Sequence, residues 1–404
     1  MKKTLTAVLL LISWNMVACQ SDSDTLNPAP VNYGVESNSA EGVKIEINPR
    51  VDVLFVIDNS GSMKPHIANL TQNINRFVEG IGKNNLLDFH IGVTTVWDSR
   101  RYGHYDVEQN KVTGAGIVPA IGRDKKPLFE PIGHLRSLKA PAGKEASLSK
   151  QAGNFVAKGD DFVEILRETL NVGIAEYHSK TDEKHDAMGP EYEEVFSPVI
   201  AALTEPVANA WNKGFLRPGR ESHLVIVYIT DANDASDISA SHMHQFLADL
   251  KGRDNFSLFA IVNPSNQRLN CPRDPAGPPL KIEELMNRTR GKILNICGDY
   301  GTQLLQIGKM IQDRTLGEIR ISLKDKSGQD RLPVVDKIQV NYGREVIPVS
   351  QYEGWTYDGE TKEIVIRGAA KWPHQPGASI NINFEPVDPT RASSHRIEDT
   401  VKRK

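Results

Sequence analysis

An apolar run at residues 51–57 leads directly into an oxygen-rich turn that contains Asp58, Ser60 and Ser62. A continuous apolar strand, rather than an alternating one, is typical of a parallel sheet with helices on both faces. Such sheets bind their ligands at the carboxyl ends of the strands. One carboxylate and two hydroxyls at alternate positions can converge on a cation that prefers oxygen ligands. The sequence therefore predicts an α/β sheet with a cation site after this strand.

A second apolar strand, residues 223–229, also ends on an acid, Asp231, which follows Thr230. A strand that runs into Asp-x-Ser-x-Ser and a distant strand that runs into Thr-Asp resemble the von Willebrand factor type A (VWA) family and its metal-ion-dependent adhesion site. The resemblance covers roughly residues 50–312. It implies a doubly wound, mostly parallel sheet in which these two strands are neighbours, with a metal ion between their carboxyl ends. The metal ligands that it implies are Asp58, Ser60, Ser62 and Asp231.

The family pattern also includes a threonine ligand before a helix, and residues 188–198 of this chain contain no threonine. We predict that Glu193 replaces it, with Glu191 as the second choice; the alternative is that Glu193 is only a charge favoured near a helix start. A carboxylate would add negative charge beside the ion. We therefore expect tighter metal binding and weaker attraction for an acidic side chain of a partner. Mg²⁺ is the expected ion, with Mn²⁺ and Ca²⁺ as alternatives.

Two simpler interpretations apply to the same motifs. Asp, Ser and Gly are common turn formers, so the first motif alone is compatible with a plain turn. Asp234 and Ser236 are predicted to cap a helix that begins near Ile238 rather than to bind the ion.

The amino terminus has the features of a secretory signal peptide over residues 1–18: a basic start, an apolar segment too short to span a bilayer, and a small-residue cleavage site. The segment resembles a bacterial lipobox, which implies that Cys19 carries a lipid anchor; ordinary secretion with a free Cys19 is the alternative. Gln20 resembles an outer-membrane sorting signal. Residues 19–45 are polar and are predicted to be a disordered tether. We expect a lipid-anchored protein of the bacterial cell envelope.

Two further cysteines, Cys271 and Cys297, remain in the chain. An even pair in an oxidising compartment favours a disulfide between them. The formal net charge is −3 over 404 residues, with 25% charged residues, which gives no support to nucleic-acid binding.

Helices and strands are predicted to alternate between residues 46 and 313, the expected VWA domain. Residues 97–160 break this alternation and are predicted to be an insertion that emerges on the ligand-binding side. The helices are expected at 67–81, 162–177, 199–211 (capped by Ser197) and 238–250, and further strands at 89–96 and 256–262.

From residue 316 to residue 387 the apolar residues alternate with polar ones, with glycine-containing turns between the runs. This pattern predicts a small all-β domain, an immunoglobulin-like sandwich without a disulfide. Trp355 and Tyr357 are expected in its core. Residues 388–404 are polar and are predicted to be a loose tail.

The predicted function is metal-dependent binding of a protein partner, or adhesion, at the cell envelope. A structural envelope protein with a purely stabilising metal is the first alternative, and a metal-assisted hydrolase is the second. The chain has no nucleophile elbow, no His-Glu-x-x-His and no phosphate-binding glycine loop. We therefore predict that the protein is not an enzyme.

Overall fold

A computed structural model of the chain provides the structure. The residues that it describes are 37–39, 42–82, 86–113, 131–151, 153–159, 161–174, 176–178, 186–188, 190–219, 221–266, 277–323, 332–373, 375 and 377–387. The predicted signal peptide, Cys19, Cys271 and the predicted tail at 388–404 lie outside these ranges.

The described residues form strands and helices with the following bounds. The strands are β1 (Ser37–Ser39), β2 (Gly42–Ile47), β3 (Arg50–Ile57), β4 (Asp88–Thr95), β5 (His104–Asp106), β6 (Lys111–Thr113), β7 (Val156–Ala157), β8 (Glu176–His178), β9 (Asp186–Met188), β10 (His223–Ile229), β11 (Phe256–Val262), β12 (Lys292–Asn295), β13 (Glu318–Ser322), β14 (Gln339–Tyr342), β15 (Glu345–Ile347), β16 (Gly354–Asp358), β17 (Glu363–Arg367) and β18 (Ile380–Phe384). The α-helices are α1 (Lys64–Gly82), α2 (Ser99–Tyr102), α3 (Phe162–Leu170), α4 (Phe196–Leu203), α5 (Ala240–Lys251), α6 (Leu280–Thr289) and α7 (Tyr300–Leu316).

The main sheet has six strands in the order β12-β11-β10-β3-β4-β7. All neighbouring pairs are parallel except β4 and β7, which are antiparallel. The sheet is therefore mixed but mostly parallel. β3 and β10 are neighbours, as the resemblance implied, and their last residues, Ile57 and Ile229, lie opposite each other.

Two separate apolar clusters cover the two faces of this sheet. Val53 and Phe55 of β3 belong to one cluster, and Leu54 and Val56 belong to the other. Helices α1, α3 and α7 pack into the first cluster, and α4, α5 and α6 pack into the second. Successive side chains of a strand point to opposite faces, so a strand buried on both faces must be apolar throughout. The prediction of a doubly wound, mostly parallel α/β sheet is confirmed.

Helices α1 and α7 approach each other closely at two glycines. A Cβ atom on Gly308 would lie 2.8 Å from the Cα atom of Gly80 and 2.5 Å from the carbonyl oxygen of Phe77. α1 follows β3 and α7 follows β12, so both helices begin at the carboxyl edge of the sheet.

No helix within the described ranges is long and apolar enough to cross a membrane.

Helix α4 differs from its prediction at both ends. It begins at Phe196 rather than at residue 199, so Pro198 lies in its first turn, where backbone N–H groups have no partner within the helix. It ends at Leu203 rather than at residue 211 because Pro206 follows and disfavours helical backbone at the preceding residue. α3 also ends early, at Leu170.

The predicted cap of helix α5 is corrected as well. The helix begins at Ala240, and the Ser239 hydroxyl caps it by accepting the His242 N–H at 3.1 Å. Asp234, predicted to cap this helix, accepts the N–H groups of Val195 and Phe196 instead, at the start of α4. The cap therefore comes from a distant segment, which local sequence does not reveal.

Residues 318–384 form two antiparallel sheets together with the strands nearest the amino terminus. One sheet has the order β1-β2-β18-β14-β15, and the other has the order β13-β17-β16. Trp355 is buried in the first apolar cluster, and Tyr357 packs against that cluster. Burial of Trp355 agrees with the prediction. The antiparallel sheets of this region agree with the alternating sequence pattern, while a separate all-β domain of immunoglobulin-like topology stays a prediction.

The predicted tether does not extend to residue 45. β1 and β2 lie within or across its last part, and β2 pairs with β18, with Ile45 opposite Ile382 and Ile47 opposite Ile380. Both β2 isoleucines are buried. In the sequence, these isoleucines alternate with Lys44 and Glu46, so the segment looks polar on its own. The partner strand lies more than 300 positions away in the chain.

Candidate metal site

The carboxyl ends of β3 and β10 bring two acids into one place. The backbone N–H of Asp58 donates to the carbonyl of Ile229 at 2.9 Å, which holds the two strand ends together. The carboxylates of Asp58 and Asp231 are close enough that each charge affects the other. The structure therefore brings together the two acids that the sequence assigned to one site.

Asp58 is completely buried and held from two sides. Its Oδ1 accepts the backbone N–H of Ser60 at 2.8 Å, and its Oδ2 accepts the Thr230 hydroxyl at 2.7 Å. Burial raises the pKa of Asp58 to about 7, and repulsion from Asp231 adds to the rise, whereas the hydrogen bonds from Thr230 and Ser60 oppose it. Two buried carboxylates that repel each other need a positive charge between them to be stable when both are ionised.

The two serines connect this pair of acids. The hydroxyls of Ser60 and Ser62 are 3.1 Å apart, and the Ser62 hydroxyl donates to Oδ1 of Asp231 at 3.1 Å. Ser60 and Asp231 are buried, while Ser62 is exposed. All four side chains predicted as metal ligands, those of Asp58, Ser60, Ser62 and Asp231, thus share one hydrogen-bonded cluster that reaches the surface.

The chemistry of this donor set fits a hard divalent cation. The set consists of two carboxylates and two hydroxyls, which are the oxygen ligands that Mg²⁺ accepts. Among the described residues, no group of three or more His, Cys, Asp or Glu side chains is arranged to hold a metal ion. A cation here would therefore depend on hydroxyl and water ligands as well as on the two acids. Bound Mg²⁺ would neutralise the repulsion between Asp58 and Asp231.

Glu193 lies beside the loop that follows Asp231. Its carbonyl accepts the N–H of Ala235, four residues after Asp231, and its side chain is buried. Glu191 is exposed, and its N–H donates to Oδ2 of Asp98 at 2.9 Å. The role of Glu193 as a metal ligand stays a prediction, and its burial favours it over Glu191.

Two buried acids, which the sequence did not mark as functional, hold the start of the insertion against the segment that precedes α4. Oδ1 of Asp98 accepts the N–H of Arg100, and its Oδ2 accepts those of Glu191 and Tyr192. Glu194 accepts the N–H of Ser99 at 3.0 Å and the hydroxyl of Ser197 at 2.6 Å. No motif marks either acid, because each acts on backbone from a distant segment.

Asp234 organises the other side of the loop after β10. Besides capping α4, its carboxylate accepts the Ser236 hydroxyl at 2.6 Å and pairs with Nζ of Lys281 at 2.9 Å. It is therefore already neutralised. This supports the expectation that Asp234 does not bind the ion.

A cavity of about 630 Å³ lies between the insertion and the segment that follows β10. Residues 99–108 of the insertion form one wall and residues 235–242 form the other, with Glu194 and Ser197 also in its lining. Neither Asp58 nor Asp231 lines it. Part of the insertion thus lies beside the segment that follows β10.

The predicted disulfide is only half within the described residues. Cys297 follows β12 and is disulfide-bonded in the structure. Cys271 lies outside the described ranges, so its pairing with Cys297 stays a prediction.

No protein-family model matches the chain, and no curated protein matches it. Among solved structures, the chain is similar to a von Willebrand factor type A protein from Catenulispora acidiphila, with 10% identity and a TM-score of 0.34 over 90% of this chain and 67% of that one. It is similar to proximal thread matrix protein 1 from the mussel byssus, with 10% identity and a TM-score of 0.32 over 69% of this chain and 51% of that one.

The pilus adhesin SpaC from Lactobacillus rhamnosus GG is also similar, with 8% identity and a TM-score of 0.32 over 86% of this chain. The match covers only 41% of the adhesin, and about half of the mussel protein. Identities and TM-scores at this level do not assign the chain to a family.

Proposed function

We propose that the chain binds a divalent cation, Mg²⁺ in the first place, between Asp58 and Asp231, and that the bound cation helps to capture a protein partner. The observation that carries the proposal is the pair of buried carboxylates at the ends of β3 and β10, joined by Ser60 and Ser62. Their mutual repulsion is a cost that a purely structural arrangement would have no reason to keep. Bound cation would remove that cost.

Access from solvent to the cluster supports the binding of a protein partner. Ser62 is exposed, so the cluster reaches the surface at the edge of the sheet where α/β folds bind ligands. The neighbouring cavity offers further surface for a partner. The lipid anchor at Cys19 and a location in the bacterial outer membrane remain part of the proposal on the resemblance of the amino terminus to a lipobox.

The direct test is titration of Mg²⁺ and Mn²⁺ into the chelator-treated protein and into Asp58→Asn. The wild type is expected to bind one ion, and Asp58→Asn is expected to lose more than about 100-fold in affinity, since loss of a ligand should exceed the 10–100-fold cost of losing a group that only supports a ligand. Isothermal titration calorimetry measures both.

The matched control is Asp237→Asn, which removes the same charge from an exposed acid in the segment after β10. It should bind Mg²⁺ like the wild type. A wild type that binds no ion, or equal losses in both variants, would contradict the metal site. If Asp58→Asn instead lowers the melting temperature and leaves partner binding unchanged, the structural alternative is favoured.

Glu193→Thr tests the proposed fifth ligand. Replacing the carboxylate with the hydroxyl that the family pattern contains should lower Mg²⁺ affinity by at least about tenfold, about 1.4 kcal/mol, because one negative charge beside the ion is lost. Glu191→Thr is the control, since Glu191 is exposed. Equal Mg²⁺ affinities for Glu193→Thr and the wild type would remove Glu193 from the site.

A further inference from the structure

Three buried polar atoms near the two acids have no hydrogen-bond partner within the described residues. They are Oδ1 of Asn59, Nδ1 of His66 and the hydroxyl of Tyr300. Asn59 and Tyr300 are each 3% exposed. Buried polar atoms without a partner are uncommon in folded proteins, and each costs about 1–3 kcal/mol. Their presence together calls for a physical explanation.

The topology places the residues that carry these atoms at the same edge of the sheet as the two acids. Asn59 follows Asp58 directly, His66 lies in the first turn of α1, and Tyr300 is the first residue of α7. Both helices begin at the carboxyl edge of the sheet. The rings of His66 and Tyr300 are stacked, with centroids 6.4 Å apart and planes 25° apart.

The charge of Asp231 acts on both rings. Burial raises the pKa of Tyr300, and the charge of Asp231 adds to the rise. Burial lowers the pKa of His66, and the charge of Asp231 opposes that change. The two aromatic side chains are therefore within electrostatic range of the acid on the α1–α7 side of the site.

All three atoms can accept a hydrogen bond. Oδ1 of Asn59 is an acceptor only, and the hydroxyl oxygen of Tyr300 can accept as well as donate. His66 donates a ring N–H to the carbonyl of Ile296, which leaves Nδ1 of the neutral ring as an acceptor. Water on a divalent cation uses its lone pair on the ion and presents its hydrogens outward. Mg²⁺ in proteins usually keeps several such waters.

We infer that His66 and Tyr300 are positioning residues that accept hydrogen bonds from the hydration waters of the cation at Asp58 and Asp231. This inference rests on the proposed metal site and extends it to ion choice. Acceptors beside the acids suit an ion that keeps its waters, so the site favours Mg²⁺, which dehydrates reluctantly, over Ca²⁺, which takes more of its ligands from protein oxygens. Asn59 contributes a third acceptor next to Asp58.

Tyr300→Phe isolates one of these acceptors, because it removes a single hydroxyl that has no hydrogen-bond partner in the described part of the chain. The variant is expected to bind Mg²⁺ about 10-fold more weakly, as for other groups that orient a metal's ligands. Ca²⁺ affinity should change less. The melting temperature of the metal-free protein should not fall, since no hydrogen bond is lost. Calorimetric titration and thermal unfolding in chelator measure these effects.

Tyr228→Phe is the matched control. The Tyr228 hydroxyl is also buried and has no hydrogen-bond partner among the described residues, but its side chain lies in the apolar cluster on the other face of the sheet. The same chemical change there should leave Mg²⁺ affinity unchanged. His66→Phe, which keeps a ring and removes the acceptor, should weaken Mg²⁺ binding as Tyr300→Phe does.

The possible outcomes distinguish the role of His66 and Tyr300 from the existence of the metal site itself. If the wild type binds Mg²⁺ and both Tyr300→Phe and His66→Phe bind it equally well, the inference is wrong and the metal site stands. Equal losses in Tyr300→Phe and Tyr228→Phe would also overturn the inference, because the effect would then be general. A wild type that binds no Mg²⁺ overturns both.

Discussion

Asp52→Ala is expected to lower the free energy of unfolding by about 3–5 kcal/mol, because it removes the buried counter-charge of Arg217 and Lys251. Asp52 is completely buried near the start of β3. It accepts the backbone N–H of Arg217 at 2.9 Å, Nη1 of Arg217 at 2.8 Å and the Ser222 hydroxyl. Nζ of Lys251 donates to the carbonyl of Arg217 at 3.0 Å and to the Ser222 hydroxyl at 3.1 Å. Urea unfolding of the metal-free protein measures the loss.

Asp88→Ala is the matched control, since Asp88 pairs with the other end of the same arginine. The distance from Nη2 of Arg217 to Oδ1 of Asp88 is 2.7 Å, but the Asp88 side chain is 40% exposed. Water screens such a pair, so this variant should lose only about 0–1 kcal/mol. Equal losses in Asp52→Ala and Asp88→Ala would show that burial does not control the strength of this cluster. Asp52 lies six residues before Asp58, so Mg²⁺ affinity should not change.

The central sheet was predictable because its strands carry their own signal. β3, β10 and β11 are buried on both faces, so nearly every side chain must be apolar, and the runs are visible without knowledge of their neighbours. The acids that end β3 and β10 were equally visible. A parallel sheet brings the carboxyl ends of its strands to one edge, so two acids far apart in the sequence could be assigned to one site.

The parts that were missed depend on partners from distant segments. β2 becomes a strand because β18 supplies its partner, and its own alternating sequence is not distinctive. Helix α4 begins at Phe196 because Asp234 accepts the N–H groups at its start. In both cases the deciding contact joins segments that no local pattern connects.

Within the candidate site, too, a local motif could be predicted and a contact between distant segments could not. Asp58, Ser60 and Ser62 form a motif at fixed spacing, and that motif could be recognised. Tyr300 could not, because its position at the start of α7 has meaning only once α7 lies beside α1. Sequence therefore predicts the residues that would contact the ion, whereas the groups that surround its water shell emerge only from packing.

The contribution of His223 to stability is expected to fall as the pH drops below 6.5. Burial lowers the pKa of His223 from 6.5 to about 3, and the charges of Arg314 and Lys251 act in the same direction. Arg314 donates to the Ser257 hydroxyl at 2.9 Å, and that hydroxyl lies 2.7 Å from Nε2 of His223. Ser257 can then donate its own hydrogen to the neutral imidazole, and a protonated ring would lose that bond and face two cations.

Low pH favours the unfolded state because the unfolded chain binds a proton on His223 more readily than the folded protein does. Between pH 6.5 and about 3 the unfolded chain protonates His223 and the folded protein does not. The stabilisation is therefore complete above pH 6.5 and is lost as the pH falls, by up to about 1.4 kcal/mol per pH unit. His223→Gln cannot titrate, and the other acids and histidines are common to both proteins. The wild-type free energy of unfolding, minus that of the variant, should decrease steadily from pH 6.5 to pH 4, and a constant difference would contradict the burial of a neutral His223.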